Sequence, residues 1–599
     1  MKYLFLFSIS PVQDFIVQAR KTQDLYAGSF ILSHLCRVAA EKARMVYNAR
    51  IIFPHLANEA LINRFLAVVD DGDRERNLAM GRDLENTVRD TFRRMAGKIL
   101  AGMKVACTPK FLESYYDQVN NFWQIFWVFQ EYHSGCYAES YRKVERALGA
   151  VKNARQFASF SQEPARKCSI TGEHNVLFFR EGQDKGFVPD FAVPLPAGLP
   201  LKYLDEREKL GAIAFIKRCA VKYFLTDEYI GKFPSIKYTE EFPSTADIAL
   251  MDVLHRWLQP AVLKNVNAAA LFDLKNKRPL PAHLSPLEQR ETQKAFEFFR
   301  KRDIYLTPYY AVILFDGDNM GRWLAGNFLS DINSLEEFQN ELSRQLGLFA
   351  EAARREVLSG PRGRTVYAGG DDFLGLINVK HLLIVLKELR RRFDEIDVGK
   401  YTDNKLTFSA GVVVAHWKTP LGEVLSRARQ MEKAAKTLDG DKDAFALAVI
   451  KHSGEVHETV YKWRHDGNWT VDLLAGLVDK ITTGGNDDKE AMTAGPDAAG
   501  QEFSNNFIKS LNREFIKLMD EEGCLLEDNL ILAEVNRLIK RSCLLRKKPG
   551  ESPKAYELRK KLAVSNLYKN VEGLYYGSRS LRNFLSALNL AGFLAGEVR

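Results

Sequence analysis

Tyr309-Tyr310-Ala311-Val312-Ile313-Leu314-Phe315-Asp316-Gly317-Asp318 and Tyr367-Ala368-Gly369-Gly370-Asp371-Asp372 are the two stretches whose reading decides the fold of this chain. In the first, Ala311 to Phe315 is an unbroken apolar, β-branched and aromatic run, the pattern of a strand buried on both faces, and it stops at two carboxylates separated by a glycine. In the second, paired glycines and paired carboxylates join two short apolar runs, Arg364 to Tyr367 and Phe373 to Ile377, as the turn of a β-hairpin. A helix is predicted from Met320 through Trp323 to Leu348, and others over Leu382–Ile396 and Leu421–Leu438, with further strands over Leu406–Ala415 and Ala444–Ile450. The core order is β-α-β-β-α-β, the ferredoxin-like split βαβ arrangement.

Reading outward, the same order occurs a second time, nearer the N-terminus. A strand Tyr3 to Ile9 turns at Ser10-Pro11 into a helix carrying Phe15, Ile16, Ala19 and Tyr26, and a second helix covers about Ser29 to Asn48. Strands Arg50–Leu56 and Asn63–Val69, a charged helix Asp83–Gly97, an aromatic strand Phe122–Phe129 and a helix to Lys152 complete it. Two diverged copies of one unit predict an α+β protein: two ferredoxin-like palm, or cyclase-like, domains at 1–153 and 301–455, an inserted mixed module at 154–300, and a helical bundle at 456–599. Within the last, the small, polar run from Gly484 to Asp497 predicts a flexible loop near 484–500.

Topology also says what the two stretches are for. In a βαββ unit the end of the first strand lies beside the following hairpin, so Asp316, Asp318, Asp371 and Asp372 converge although Asp316 and Asp371 are 55 positions apart. Hard carboxylate oxygens suit Mg²⁺ or Mn²⁺, which keep several waters and take other ligands from substrate phosphates. Two such ions activate a 3′-hydroxyl and stabilise a leaving pyrophosphate, while Gly317, Gly369 and Gly370 let a nucleotide approach the backbone. Each stretch alone also reads as an ordinary solvated turn, and it is their conjunction in this order that points to a metal-nucleotide site.

The rest of the composition narrows the class. With 599 residues, 46% hydrophobic and 27% charged, the chain is neither disordered nor fibrous, and its length accommodates about four domains. No apolar run is long enough to span a membrane. Seven scattered cysteines do not suggest a disulfide framework, and the N-terminus does not read as a signal peptide, so a cytoplasmic location is expected. The net charge of +9 makes a polyanionic partner plausible without specifying one.

Taken together with Ser409-Ala410-Gly411-Val412, Ser10-Pro11-Val12-Gln13-Asp14-Phe15-Ile16, Ala19-Arg20-Lys21-Thr22, Phe242-Pro243-Ser244-Thr245-Ala246 and His452-Ser453-Gly454-Glu455, these motifs resemble the large subunit of type III-B (Cmr) CRISPR effector complexes. The resemblance implies a palm that makes cyclic oligoadenylates from ATP when the complex holds target RNA, with the other Cmr subunits, guide RNA and target RNA as partners. It implies Asp316, Asp371 and Asp372 as metal carboxylates for Mg²⁺ or Mn²⁺, Asp318 as their neighbour, and Lys436 as a contact to substrate phosphates, although a solvated helix-end lysine reads the same way. Ser10, Pro11 and Gln13 hold in the first palm the place of Asp316 to Asp318, with no carboxylate pair, so that palm is expected to hold an acceptor nucleotide or to brace the second.

Relatives often begin with an HD nuclease domain. This sequence opens at the first palm, and its His465-Asp466 pair reads as incidental, so no intrinsic DNase activity is expected. Where relatives carry a zinc knuckle, Cys168 is followed by Thr171 instead of a second cysteine and has only His174 nearby, so zinc is not expected. The basic run Arg541, Arg546, Lys547, Lys548, Lys554, Arg559, Lys560 and Lys561 reads equally as a solvated face or a surface for RNA or a neighbouring subunit. Trp123, Phe126 and Trp127 read as core aromatics of a strand. Two other functions fit the residues: a stand-alone diguanylate or adenylate cyclase, and a scaffold anchoring the guide-RNA end of the complex.

Overall fold

The computed structural model describes residues 2–70, 73–133, 135–154, 164–182, 186–197, 199–225, 242–481, 502–516 and 527–598. The loop expected near 484–500 lies outside the described residues. The first unit runs β1 (Lys2–Ser10), α1 (Gln13–Val17), α2 (Thr22–Tyr47), β2 (Arg50–Phe53), β3 (Arg64–Val69), α3 (Arg74–Met103), α4 (Pro109–Asn120), β4 (Gln124–Tyr132) and α5 (Tyr137–Asn153). Its sheet has the order β2-β3-β1-β4, with β1 antiparallel to both neighbours, which is the ferredoxin-like topology.

The inserted region carries the parallel pair β5 (Phe178–Arg180) and β6 (Val193–Leu195), then α6 (Ala212–Ala220), α7 (Thr245–Trp257), α8 (Pro260–Leu263), α9 (Ala268–Lys275) and α10 (Pro286–Lys301). The second unit contains β7 (Tyr309–Gly317), α11 (Met320–Leu324), α12 (Leu335–Ala352), β8 (Gly363–Gly369), β9 (Asp372–Asn378), α13 (Leu382–Asp394), β10 (Phe408–His416), α14 (Leu421–Lys436), β11 (Ala444–Ile450) and β12 (Val456–Lys462). Its strands order as β12-β11-β10-β7-β9-β8: the ferredoxin-like four, extended by β11, which lies parallel to β10 through the crossover helix α14, and by β12. A small hairpin, β13 (Arg464–His465) with β14 (Asn468–Trp469), leads into α15 (Thr470–Ile481), α16 (Asn506–Phe515), α17 (Asp528–Ser542), α18 (Pro553–Tyr576) and α19 (Leu581–Glu597).

Alternation along the central strands assigns each face to a different core. Phe5, Phe7 and Ile9 of β1 join Tyr310 and Val312 of β7 in one cluster, roofed by α2, α3, α6 and α14. Leu4 and Leu6 join Ala311, Ile313 and Phe315 in another, closed by α5, α12, α13 and the C-terminal helices. Both cores draw on both palms, so the two units are packed as one body around the cleft between them.

Several boundaries differ from expectation. The first helix breaks at Gln18–Lys21, placing Tyr26 in α2. The helix expected through Leu348 is interrupted after Leu324, because Gly326 adopts φ +79° and Asp331 caps a short 3-10 turn before α12. The aromatic strand begins at Gln124, leaving Trp123 before it, buried edge-on against Phe15 and Phe92. Trp127 lies over Gly81 of α3, its Nε1 donating to Glu85 at 3.3 Å. The expected boundary at 455 falls inside a hairpin, since β12 pairs with β11 as the edge of the palm sheet.

Candidate functional site

The site is built where β7 and β9 end together. Their antiparallel register sets Asp316 opposite Asp372, and the Gly317 N–H donates to the Asp371 carbonyl at 3.0 Å. Gly369 pairs with Asp372 across the β8–β9 hairpin, so Gly370-Asp371 is its two-residue turn. Gly370 has φ +66° at the first turn position, as a type II′ turn requires. Gly317 admits no side chain either: a Cβ there meets Met320 Cγ at 2.7 Å and Asp371 Cβ at 3.0 Å. Asp316, Asp371 and Asp372 therefore do converge as the topology predicts.

Asp371 and Asp372 open onto a cavity of about 390 Å³ between the palms, lined on one side by Gln13, Asn63 and Arg64 and on the other by Met320 and these two carboxylates. That volume is in the range of small-ligand pockets. Burial, with the charge of Asp316 adding to it, raises the Asp371 carboxyl to about 6. The same two causes, reinforced by Asp371 and Glu432, raise Asp372 to about 8. Both side chains reach the cleft yet are walled by protein, so each loses hydration and meets its neighbours' charge. Such a cluster is short of positive charge.

Part of that charge comes from α14. Lys436 Nζ pairs with the Asp316 carboxylate and with Glu432 Oε1 at 2.7 Å. Burial alone depresses an ammonium, but the two carboxylates outweigh it and hold Lys436 above its ordinary value. The close approach of α14 depends on Gly411, where a Cβ meets the Ala428 carbonyl oxygen at 2.0 Å and the Glu432 nitrogen at 2.4 Å. Gly411→Ala therefore pushes α14 off β10. It is expected to cost about 1–3 kcal/mol in a denaturant titration and to weaken nucleotide binding by displacing Lys436 and Glu432.

Not every expected residue points into the cleft. Asp318 is 1% exposed: the strand ends at Gly317, the chain turns through Asn319 at φ 57°, and Asp318 is carried inward. Its Oδ2 accepts from Thr407 Oγ1 at 2.9 Å and from the Asp443 N–H at 3.1 Å. The expected role of Asp318 in nucleotide binding is thus corrected to bracing the turn. Of the first-palm residues, Gln13 lines the cavity whereas Ser10 and Pro11 do not. Lys436 faces Asp316 and Glu432 in place of open solvent.

Among the described residues, no three acidic, histidine or cysteine groups stand as a ready-made metal cluster. The donor set nevertheless fits a hard divalent cation, because Asp371 and Asp372 share the cleft wall with Asp316 opposite Asp372, and both are held at raised pKa for want of charge.

Sequence reasoning missed Glu432 and Arg64. Glu432 is one helical turn before Lys436 and shares its face, a spacing legible in the sequence. Arg64, in the cleft wall and paired to Glu145 at 3.2 Å, carried no local signal. Elsewhere, Cys168 is buried and its N–H donates to the His174 carbonyl at 2.8 Å. His465 and Asp466 sit 3.3 Å apart in the β13–β14 hairpin. In the basic run, Arg559 forks onto Glu551 with two contacts of 2.9 Å.

Two family models match the chain: "Cmr2_N: CRISPR-associated protein Cmr2, N-terminal" over residues 4–124, and "Cas10/Cmr2, second palm domain" over 309–446. The chain is 28% identical over 218 residues to the CRISPR system Cmr subunit Cmr2 of Pyrococcus furiosus, covering 32% of this chain and 23% of that protein. It is 29% identical over 140 residues to the single-strand-specific deoxyribonuclease Cas10/Csm1 (subtype III-A) of Streptococcus thermophilus, covering 23% and 18% respectively. The matched stretches thus span less than a quarter of these relatives. Its fold is similar to a chain of type III-B Cmr-beta in the apo state, with TM-score 0.60 at 14% identity over 96% of this chain and 82% of that one. It is also similar to Cmr-beta bound to cognate target RNA, with TM-score 0.57 at 14% identity over 96% and 83%.

Proposed function

The chain belongs to the Cmr2/Cas10 large subunits of type III-B CRISPR effector complexes, and from that premise we propose that it joins ATP molecules into cyclic oligoadenylates when its complex engages target RNA. The observation that carries the reading is the placement of Asp371 and Asp372 in the wall of a nucleotide-sized cleft between two palms, with Asp316 opposite Asp372 across the strand pair. The other Cmr subunits, the guide RNA and the target RNA are the proposed partners.

In this reading Asp316, Asp371 and Asp372 hold Mg²⁺ or Mn²⁺, which supplies Lewis-acid stabilisation of the attacking and leaving oxygens. Lys436, paired with Asp316 and Glu432 beside the carboxylates, would offer its ammonium to the triphosphate of the donor ATP. The Gly369-Gly370 turn gives the nucleotide room against the backbone. Across the cleft, Gln13 and Arg64 of the first palm face the carboxylates without supplying any of their own, the arrangement suited to an acceptor nucleotide. Arg64 is a fixed cation there, anchored by Glu145.

Purified protein, alone and in its complex, incubated with labelled ATP or GTP and Mg²⁺ with and without matching target RNA, tests this by product mass. Cyclic oligoadenylates made only with target RNA are expected. A dinucleotide product from the protein alone overturns the reading in favour of a stand-alone cyclase, and no product under any condition overturns it in favour of a scaffold.

A further inference from the structure

The second palm's sheet has another end, opposite the carboxylates, where β7 begins and β10 and β11 finish. His416 closes β10, and His452 follows β11; their rings lie 4.4 Å apart between centroids. Tyr309 stands edge-on to His416 at 5.6 Å, and its hydroxyl accepts the His452 N–H at 3.1 Å. The two histidines line a recess of about 420 Å³ whose remaining charged lining is Lys275, Arg278 and Lys418. The lining includes no carboxylate.

The acids nearby lie outside the lining. Asp273 is 4.0 Å from Arg278, Glu597 accepts from the Tyr305 and Thr307 hydroxyls, and Glu455 pairs with Lys451 and His457. Two imidazoles this close suggest, in isolation, a transition metal, but three fixed cations around them repel one. Burial, helped by His452 and Lys418, keeps His416 neutral at about 4. The lining is basic overall, with Asp273 offsetting Arg278 from outside it at 4.0 Å. The recess is larger than an inorganic ion needs, and one wall is Trp417, stacked on Phe272 at 5.3 Å and flanked by Lys418 Nζ at 4.9 Å. Several point cations around tetrahedral oxygens, with an aromatic wall beside them, match a phosphorylated nucleoside better than a carboxylate ligand.

We propose that the recess bounded by His416, His452, Lys275, Arg278, Lys418 and Trp417 binds a nucleotide phosphate, either of a free nucleotide or of one residue in an RNA strand. The site is separate from the catalytic cleft, and the inference does not rest on the proposed activity. The two are separable because, without a divalent cation, the carboxylate cleft repels phosphate while the basic recess attracts it.

Calorimetric titration of the full chain in EDTA with pyrophosphate, AMP and a ten-residue oligouridylate tests it. Saturable one-to-one binding of at least one probe is expected, weakened at least tenfold in the Lys418→Glu, Arg278→Glu double variant. Both residues are exposed, and the variant's melting midpoint should match the wild type. AMP or pyrophosphate binding without the oligomer assigns the free nucleotide; oligomer binding alone assigns RNA. No saturable binding of any probe, or binding that the charge reversals leave unchanged, overturns the proposal.

Discussion

Replacing Asp372 with asparagine is expected to abolish nucleotide turnover and at the same time to make the metal-free protein more stable. The activity side follows from position: Asp372 faces Asp316 across the strand pair, and losing one anionic ligand removes several kcal/mol of charge stabilisation in the transition state, roughly a 10³-fold or larger loss of rate. The stability side follows from linkage. An unfolded aspartate titrates near 4, whereas burial and the charges of Asp316 and Asp371 hold Asp372 at about 8 in the fold. A carboxyl whose folded pKa is raised adds no penalty below pH ~4, and its penalty grows as pH rises towards 8. By neutral pH it reaches the order of a few kcal/mol, before relaxation and shared effects with Asp371. Asparagine keeps the shape and removes the charge. Urea midpoints in EDTA should therefore fall between pH 5 and 8 for the wild type more steeply than for Asp372→Asn. Asp371→Asn, starting from about 6, should show the smaller gain. A variant that loses activity and stability together would mean that Asp372 serves as a structural anchor.

What was legible in the sequence was whatever is decided over a few residues. The apolar run to Phe315 and the Gly369 to Asp372 turn specify a buried strand and a tight hairpin by themselves, and the βαββ order then makes their ends adjacent. Asp318 stands two positions from Asp316 in sequence, yet the strand stops between them and Asn319 turns the chain, which carries its carboxylate inward. The break before α12 depends on Gly326 and the Asp331 cap, a short-range signal overridden by the helical periodicity on either side. Strand β12 escaped because an edge strand, half solvated, lacks the apolar run that marked its neighbour. Long-range pairings had no local trace at all: Lys436 reaches Asp316 across 120 positions, and Arg218 reaches Asp24 across 194.

That last pairing sets up the second large effect. Arg218, fully buried on α6 of the insert, donates through Nε and Nη2 to the two Asp24 oxygens at 2.5 and 2.9 Å. It also donates through Nη1 and Nη2 to Glu208 at 2.8 and 3.1 Å. Burial pushes both carboxyls up, but the guanidinium's charge and hydrogen bonds outweigh it and hold both below their ordinary values. Arg218→Met removes the guanidinium that bridges two buried carboxylates, and is expected to cost about 3–5 kcal/mol in chemical denaturation. Replacing all three, Arg218→Met with Asp24→Leu and Glu208→Leu, should recover part of that loss, because no buried carboxylate is then left without the guanidinium, while the Asp24 contacts to the Arg20 and Lys21 N–H groups are lost. The sign with pH is opposite to that of Asp372. Carboxyls with depressed folded pKa stabilise the protein above pH ~4, and the contribution disappears as pH falls through their folded values. Wild-type stability should thus drop below pH 4 more than that of the triple variant. The consequence reaches the cleft, because Asp24 Oδ2 also accepts the Arg20 and Lys21 N–H groups, and Lys217 beside it donates to the Gln18 carbonyl at 2.9 Å. The insert thereby fixes the loop after α1, the helix that begins with Gln13 at the cleft wall. Faster amide hydrogen exchange over residues 13–21 in Arg218→Met, with the β7–β9 amides unchanged, is the expected local signature. Uniform acceleration across both palms would show that the triad holds the whole body together instead of that loop.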